Sequence, residues 1–122
     1  DSRYKDHGPN MLVDSIADTA WCGGVVLGGN PVRLNDVDIR RMGASLSVNG
    51  EIIETGAAVA VMSNPISAVA WLANTLHKFG TSMQPGGVIL SGSFVRAVPL
   101  DANQSLMALF DGLGEVTLKV ME

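Results

Sequence analysis

Alternating apolar and polar residues flank an Asn-Gly pair near the middle of the chain. Residues 46–48 precede Asn49-Gly50, and two isoleucines, Ile52 and Ile53, follow it. Asn-Gly readily supplies the two positive φ angles that a type I′ turn requires. The pattern therefore predicts a β-hairpin centred on this pair.

The strongest helix signal lies just after the predicted hairpin, at residues 64–80. Asn64 is a favourable N-cap, Pro65 fits the first helical position, and Gly80 is a typical stop residue. Apolar residues recur at helical spacing along one side. Trp71 falls within the narrow polar strip on the other side, where it either packs locally on the surface or anchors another subunit.

The first third of the chain carries weaker signals. Residues 1–10 are polar and predict an extended segment, and a short amphipathic helix capped at Asn10 is predicted to run to about Cys22. Residues 23–29 form an apolar run between pairs of glycines and predict a short strand. A polar loop is expected from there to about residue 41.

The last third of the chain predicts antiparallel β-structure. Strands are expected at residues 88–90, 94–100, 106–110 and 116–120, with a turn at residues 111–114 between the last two. The sequence shows no internal repeat or linker. The predicted fold class is therefore a single β-rich α+β unit with two helices.

Composition narrows the classes of function. The 122 residues include eight Lys and Arg against 12 Asp and Glu, a net charge of −4, so no basic field favours nucleic acid. The hydrophobic share of 47% is too high for a disordered chain, and no uninterrupted apolar run approaches the roughly 20 residues of a membrane span. The single cysteine, Cys22, excludes an internal disulfide and favours a reducing cytoplasm. We expect neither nucleic acid nor membrane as a partner.

Two groups of residues are candidates for chemistry. Asp14 and Asp18 are four positions apart on one predicted helix face, which suits a metal or an acid/base pair, although solvated carboxylates are the commoner case. Ser91-Gly92-Ser93 follows an apolar run and can present hydroxyl and N–H groups to an anionic ligand, although a plain turn explains it equally well. The flanking glycines of a nucleophile elbow are missing there.

The order of several short motifs resembles the C-terminal half of 2-keto-4-pentenoate hydratases and the related 4-oxalocrotonate decarboxylases, within the fumarylacetoacetate hydrolase fold superfamily. The motifs are the opening Asp1-Ser2-Arg3 and residues 13–20, 26–28, 49–51, 64–65, 68–74, 87–93 and 113–116. The resemblance covers essentially the whole chain. It implies that residues 1–122 form one domain, the C-terminal portion of a mixed β-sandwich or roll with two flanking helices.

The resemblance also implies an activity. It implies a hydratase that adds water to 2-hydroxypenta-2,4-dienoate-type substrates, giving 4-hydroxy-2-oxo acids in aromatic meta-cleavage catabolism. The alternatives are a metal-dependent decarboxylase of 4-oxalocrotonate and a non-catalytic assembly subunit or remnant of the same fold. In such enzymes a divalent ion, Mg²⁺ or Mn²⁺, acts as a Lewis acid on the 2-oxo acid. The same resemblance implies that the protein is cytoplasmic. It also implies a homo-oligomer, alone or in complex with the next enzyme of the pathway.

Site residues follow from the resemblance position by position. The family's metal-binding glutamates and catalytic lysine precede the Asp-Ser-Arg motif, so the ligands are expected to be absent from this chain and its catalytic residues stay unknown. The substrate-binding candidates are Asp18, Asn64, Ser91 and Ser93. A structural turn or cap is the alternative role for each. Residues 19–22, Thr-Ala-Trp-Cys, depart from the family's usual Asn-Ala-Ser-Ser, and Trp21 would fill or reshape the expected pocket.

Overall fold

The structure is a computed structural model that describes residues 12–122. It has an α+β architecture, as expected, with one antiparallel sheet and two α-helices. The elements in chain order are α1 Leu12–Ala17, β1 Gly43–Val48, β2 Glu51–Ala57, α2 Pro65–Lys78, β3 Ser105–Phe110 and β4 Gly114–Lys119. Single 3₁₀ turns lie at Thr19–Trp21, Leu34–Asp36, Ile39–Arg41 and Ala58–Ala60.

The sheet has four strands in the order β2-β1-β3-β4, and every neighbouring pair is antiparallel. The predicted hairpin at Asn49-Gly50 is confirmed, because both residues have positive φ angles, of 51° and 86°. The Asn49 side chain also accepts a hydrogen bond from the Ser105 N–H at 2.9 Å. The hairpin turn is thereby joined to the start of β3.

The predicted turn at residues 111–114 is also confirmed and joins β3 to β4. Gly112 and Gly114 both have positive φ angles there, of 73° and 95°. Because L-residues with a side chain rarely adopt such angles, these glycines let the chain reverse within four residues. The antiparallel register then runs from Phe110 opposite Gly114 to Ser105 opposite Lys119.

Helix α2 follows the predicted capping signals closely. Asn64 Oδ1 accepts a hydrogen bond from the Ile66 N–H at 3.0 Å, and Gly80 adopts a φ of 72° just after the helix. Trp71 is 59% exposed.

The stretch Ala58–Lys78 is long and apolar enough to cross a membrane, but length and composition alone are weak evidence for a membrane span. The 14 residues of α2 itself extend about 21 Å, less than the roughly 30 Å of a bilayer core.

Four predicted elements differ from the structure. Residues 23–29, 88–90 and 94–100 are not strands, because they pair with no strand ladder among the described residues. The first helix ends at Ala17 rather than Cys22, since Thr19, Ala20 and Trp21 turn with φ angles of 53°, 52° and 63°. Three successive left-handed residues cannot continue a right-handed helix. The predicted cap at Asn10 lies outside the described residues.

The described core is small. Met42, Ala58 and Val61 are its buried apolar residues, and they lie where β1 begins and where the chain leaves β2. Large apolar side chains elsewhere remain exposed, including Leu12 on α1 and Phe79 at the end of α2. Apolar surface on this scale is typical of a contact region rather than of an isolated monomer.

Candidate functional site

The segment that follows Gly87 packs across the sheet and builds the candidate site. The ring of Phe94 meets the ring of Phe110 on β3 edge to face, with centroids 6.2 Å apart and an interplanar angle of 86°. The Phe94 carbonyl lies against Gly56 on β2, where a side chain would collide with it. Arg96 then pairs with Glu54 on β2, with Nη2 and Nε 2.6 and 2.9 Å from Oε1.

The larger of the two cavities beside this segment, here the main cavity, has a volume of about 580 Å³. One wall comes from β1 and β3, and the other from the segment around Phe94. Its described lining residues are Ala20, Ala44, Ser45, Leu46, Leu90, Gly92, Ser93, Phe94, Val95, Ala108 and Phe110. Its volume falls within the range of small-molecule sites, roughly 300–1,000 Å³.

A second cavity of about 250 Å³ adjoins the main cavity. The two share Leu90, Gly92, Phe94 and Phe110 as lining residues, so the segment from Leu90 to Phe94 separates them. Its other described lining residues are Ile39, Met42, Ala58, Pro65, Ile89, Ser91 and Leu113. Within this segment Leu90, Gly92 and Phe94 border both cavities, whereas Ser91 borders only the second cavity and Ser93 only the main cavity.

Ser91 and Ser93, both predicted site residues, lie on opposite sides of this segment. Ser91 lines the second cavity and is half-buried. Ser93 lines the main cavity, but its hydroxyl donates to the Val95 carbonyl at 2.7 Å and accepts from the Val95 N–H at 3.3 Å. These bonds form a local turn. Ser93 therefore has the turn role that the sequence offered as the alternative to substrate binding.

Asp18 is a buried polar residue, with 5% of its surface exposed. Its carbonyl accepts hydrogen bonds from the Trp21 N–H and from the Thr19 hydroxyl, each at 2.8 Å. These bonds hold the left-handed turn that places Ala20 on the main cavity. Asp18 itself does not line either cavity, and it is its backbone carbonyl that holds this turn.

Asn64 also stands one residue away from the site. Its side chain is occupied in capping α2, and the next residue, Pro65, lines the second cavity. The four predicted residues are therefore grouped around the two cavities, although only the two serines line them.

Comparison with known proteins gives the relationship of the chain. No family model matches it. It is 36% identical over 111 residues to 2-oxo-hept-4-ene-1,7-dioate hydratase of Escherichia coli, covering 91% of this chain and 42% of that protein. It is 35% identical to 4-oxalocrotonate decarboxylase of Pseudomonas putida over 98% of this chain and 45% of that protein. A 2-keto-4-pentenoate hydratase of Burkholderia vietnamiensis is 36% identical.

The solved structure of 4-oxalocrotonate decarboxylase from Pseudomonas putida G7, complexed with magnesium and adipate, superposes with a TM-score of 0.91 at 34% identity. The match covers 99% of this chain and 46% of that one. The chain matches part of a larger protein of the fumarylacetoacetate hydrolase-like family. It spans less than half the length of the relatives given above.

The charged residues do not gather into a metal centre within residues 12–122. That part of the chain has no group of three or more His, Cys, Asp or Glu side chains placed to hold an ion. The charged cluster nearest to β1 joins Asp38 to Arg40 and Arg41 at 3.3 and 3.6 Å. The hydrogen bond from Arg40 lowers the pKa of the Asp38 carboxyl below its usual value.

Sequence reasoning missed most of the described residues that line the main cavity. Ala20, Phe94 and Phe110 come from three distant parts of the chain and carry no motif that marks them. Phe94 approaches Gly56 through a long-range backbone contact. The glycine at position 56 is the one feature of the sequence that indicates this contact. A strand glycine often marks such an approach of another backbone.

The capping role of Asn64 is testable. Asn64→Ala is expected to lower the free energy of unfolding by about 1 kcal/mol, because the Ile66 N–H loses its acceptor. Asn64→Asp keeps an acceptor oxygen and should retain the wild-type value in urea denaturation. Equal destabilisation by both variants would refute the cap. A stable Asn64→Asp variant with weakened substrate binding would instead assign Asn64 to the substrate.

Proposed function

We propose that this chain is the C-terminal portion of a lyase that hydrates 2-hydroxypenta-2,4-dienoate-type acids to 4-hydroxy-2-oxo acids in aromatic meta-cleavage catabolism. The observation that carries the proposal is the superposition at a TM-score of 0.91 over 99% of the chain, at 34% identity. Relatives named 2-keto-4-pentenoate hydratase and 2-hydroxyhexa-2,4-dienoate hydratase support the reaction type.

In this proposal residues 1–122 form one structural unit of a larger mixed β-sandwich or roll. The small core and the exposed apolar residues of α1 and α2 support this assignment, because the remaining part of the fold would cover them. The length of the relatives, more than twice that of this chain, leaves room for such a part. The assembled protein is proposed to be a cytoplasmic homo-oligomer, with or without a bound pathway enzyme, in which the exposed Trp71 is a natural contact residue.

The proposed reaction uses a divalent ion. The described residues contain no group of three or more His, Cys, Asp or Glu side chains that could bind it. The solved relatives are complexed with magnesium or with calcium, which supports a hard divalent ion in the whole protein. We assign the ion, Mg²⁺ or Mn²⁺, to ligands outside residues 12–122. No step of the reaction is therefore derived through it from this chain.

The role of this chain is to hold and orient the organic acid. Ser91 is half-buried on the second cavity, where its hydroxyl can donate to a carboxylate or oxo oxygen of the substrate. Ser93 fixes the local turn of the same segment, and Asp18 fixes the turn that carries Ala20. Asn64 fixes the start of α2 beside Pro65. Ser91 is thus the substrate contact, and the other three are positioning residues.

Turnover of the protein as its gene encodes it tests this proposal. Loss of the ultraviolet absorbance of 2-hydroxypenta-2,4-dienoate should require Mg²⁺ or Mn²⁺ and should stop with a chelator. Ser91→Ala should raise KM about tenfold, because one hydrogen bond to a charged substrate is lost. Ser67→Ala, on the exposed side of α2, is the matched control and should leave KM unchanged. Absence of metal-dependent turnover in folded protein would refute the proposal.

Decarboxylation of 4-oxalocrotonate is the second candidate, since the superposed structure is a 4-oxalocrotonate decarboxylase. The two reactions are distinguished by offering the protein each substrate separately and measuring the products. Hydration consumes the dienoate without gas release, whereas decarboxylation of 4-oxalocrotonate releases CO₂. CO₂ release without dienoate hydration would select the second candidate over the first.

A further inference from the structure

Arg40 and Arg41 are the only two adjacent Lys or Arg residues in a sequence whose net charge is −4. Both line an open cleft of about 530 Å³, here the basic cleft. Its other described lining residues are Ala57, Val59 and Ser63. None of these five residues lines the main cavity or the second cavity, so the basic cleft is separate from the candidate site.

The basic cleft is built on the buried core. Residues 39–42 and 57–65 each contribute residues both to this cleft and to the second cavity. The two segments are joined by a hydrogen bond from the Ala58 N–H to the Met42 carbonyl at 2.9 Å. Ala58 and Met42 are 1% and 5% exposed. Because packed interiors deform little, this base holds the lining residues in place before any ligand binds.

Asp38 orders the two arginines. Its Oδ1 accepts hydrogen bonds from the backbone N–H and from Nε of Arg40, each at 3.3 Å, and its Oδ2 lies 3.6 Å from Nε of Arg41. Both guanidiniums are therefore held beside one carboxylate. Within residues 12–122 no Nη group of either arginine donates a hydrogen bond. The Nη groups are thus available to a ligand, and their geometry is partly fixed before it binds.

The charges of this cluster favour an anion. The hydrogen bond from Arg40 lowers the pKa of the Asp38 carboxyl, so Asp38 is ionised at neutral pH. Two guanidiniums and one carboxylate leave a net charge of +1. The side chains of Arg40 and Arg41 are 59% and 87% exposed, so an anion bound to them keeps part of its hydration. The desolvation cost that opposes a charged ligand in a closed cavity is therefore small here.

Ser63 adds a neutral hydrogen-bond donor to the lining of the cleft. In the described part of the chain its hydroxyl has no hydrogen-bond partner. Met62 and Ser63 also have left-handed φ angles, of 48° and 61°. Non-glycine residues in this region are strained, and such residues cluster at ligand sites.

We propose that the basic cleft is an accessory anion site that binds the phosphate group of a small molecule. A phosphate group carries about two negative charges at neutral pH, and two guanidiniums and a hydroxyl can share its terminal oxygens. A carboxylate has fewer oxygens, which a single guanidinium satisfies. Ala57 and Val59 supply an apolar wall for the organic part of a phosphomonoester. This inference goes beyond the proposed reaction and does not depend on it.

Calorimetric titration of the protein as its gene encodes it tests the site, with inorganic phosphate, phenyl phosphate and acetate as separate ligands in metal-free buffer. Phosphate should bind more tightly than acetate. Arg40→Gln with Arg41→Gln should weaken phosphate binding at least about tenfold. Tighter binding of phenyl phosphate than of inorganic phosphate would assign the site to an organic phosphomonoester, and equal binding would assign it to phosphate itself.

Arg33→Gln with Lys78→Gln is the matched control, because it removes two exposed charges that lie outside the cleft. At an ionic strength of about 0.15 M, where distant charges are screened, it should change phosphate binding less than about twofold. Arg40→Lys with Arg41→Lys keeps both charges but removes the planar fork, so it should also lose most of the affinity. Circular dichroism checks that each variant is folded.

Four results would overturn the inference. They are no phosphate binding by the folded wild type, tighter binding of acetate, unchanged binding in either double variant of Arg40 and Arg41, and equal weakening by the control. Metal-dependent turnover of the dienoate is measured separately. Failure of the phosphate site therefore leaves the proposed reaction standing, and failure of the reaction leaves the phosphate site standing.

Discussion

Gly56→Ala is expected to lower the free energy of unfolding by about 3 kcal/mol, or to prevent folding at 37 °C. An alanine Cβ at this position would overlap the Phe94 carbonyl oxygen and lie only 3.0 Å from the Phe94 carbonyl carbon and ring Cδ2. Both the strand and the segment opposite are backbone at this contact, so neither yields by a side-chain rotation. Urea denaturation followed by circular dichroism measures the effect.

Gly43→Ala is the matched control for this prediction. Gly43 lies on β1 opposite Ala57, one position from the Gly56 pair, and a Cβ there would meet the Gly56 carbonyl oxygen at an ordinary 3.9 Å. We expect its free energy of unfolding to remain within about 1 kcal/mol of the wild type. Similar losses in both variants would show that strand glycine in general, rather than the Phe94 contact, explains the effect.

Met42→Ala is the second substitution for which a large loss is expected, about 3 kcal/mol. Met42 is 5% exposed and belongs to the small described core, and its side chain borders the second cavity. Removal of its thioether extends that cavity and leaves the surrounding residues without contacts. A thermal melt or urea titration checks the loss.

Met121→Ala is the same chemical change at a position with 71% exposure. Because no buried contact is lost there, its stability should remain within about 0.5 kcal/mol of the wild type. If both methionine variants behaved alike, Met42 would not be part of a packed core. A selective loss in Met42→Ala would instead confirm that this small core carries much of the stability.

Local signals in the sequence were sufficient for the parts of the fold that local chemistry determines. Asn49-Gly50 selects the hairpin turn by its φ angles, and Asn64 with Pro65 selects the start of α2 through one hydrogen bond and one fixed ring. The turn before β4 is determined in the same way by Gly112 and Gly114. Each of these features depends on residues within a few positions of one another.

The segments predicted wrongly depend on distant partners. Residues 88–90 are apolar enough for a strand, but a strand also needs a neighbour whose backbone groups are free to pair. In the described structure the segment around Phe94 packs on the face of the sheet, against Gly56 and Phe110, and does not form hydrogen bonds as a further strand. Apolar pattern alone does not distinguish these two outcomes.

Of the four site residues predicted from the sequence, two line the cavities that the structure describes. Ser91 and Ser93 line the cavities and follow the apolar run at residues 88–90, although that run is not the strand that the sequence predicted. Asp18 and Asn64 do not line the cavities themselves, whereas their neighbours Ala20 and Pro65 do. The position of those neighbours follows from tertiary packing, which a linear motif does not encode.

The order of strands in the sheet also determines when the protein can fold during synthesis. The central strands β1 and β3 are joined across a long stretch of chain, as in the bond from the Ser47 hydroxyl to the Met107 carbonyl, 60 residues apart. At about 5–20 residues per second, a ribosome needs roughly 3–12 s to add that stretch. A lone two-stranded hairpin is only marginally stable in water. The β1–β2 hairpin therefore keeps an unpaired edge on β1 until β3 has been synthesised.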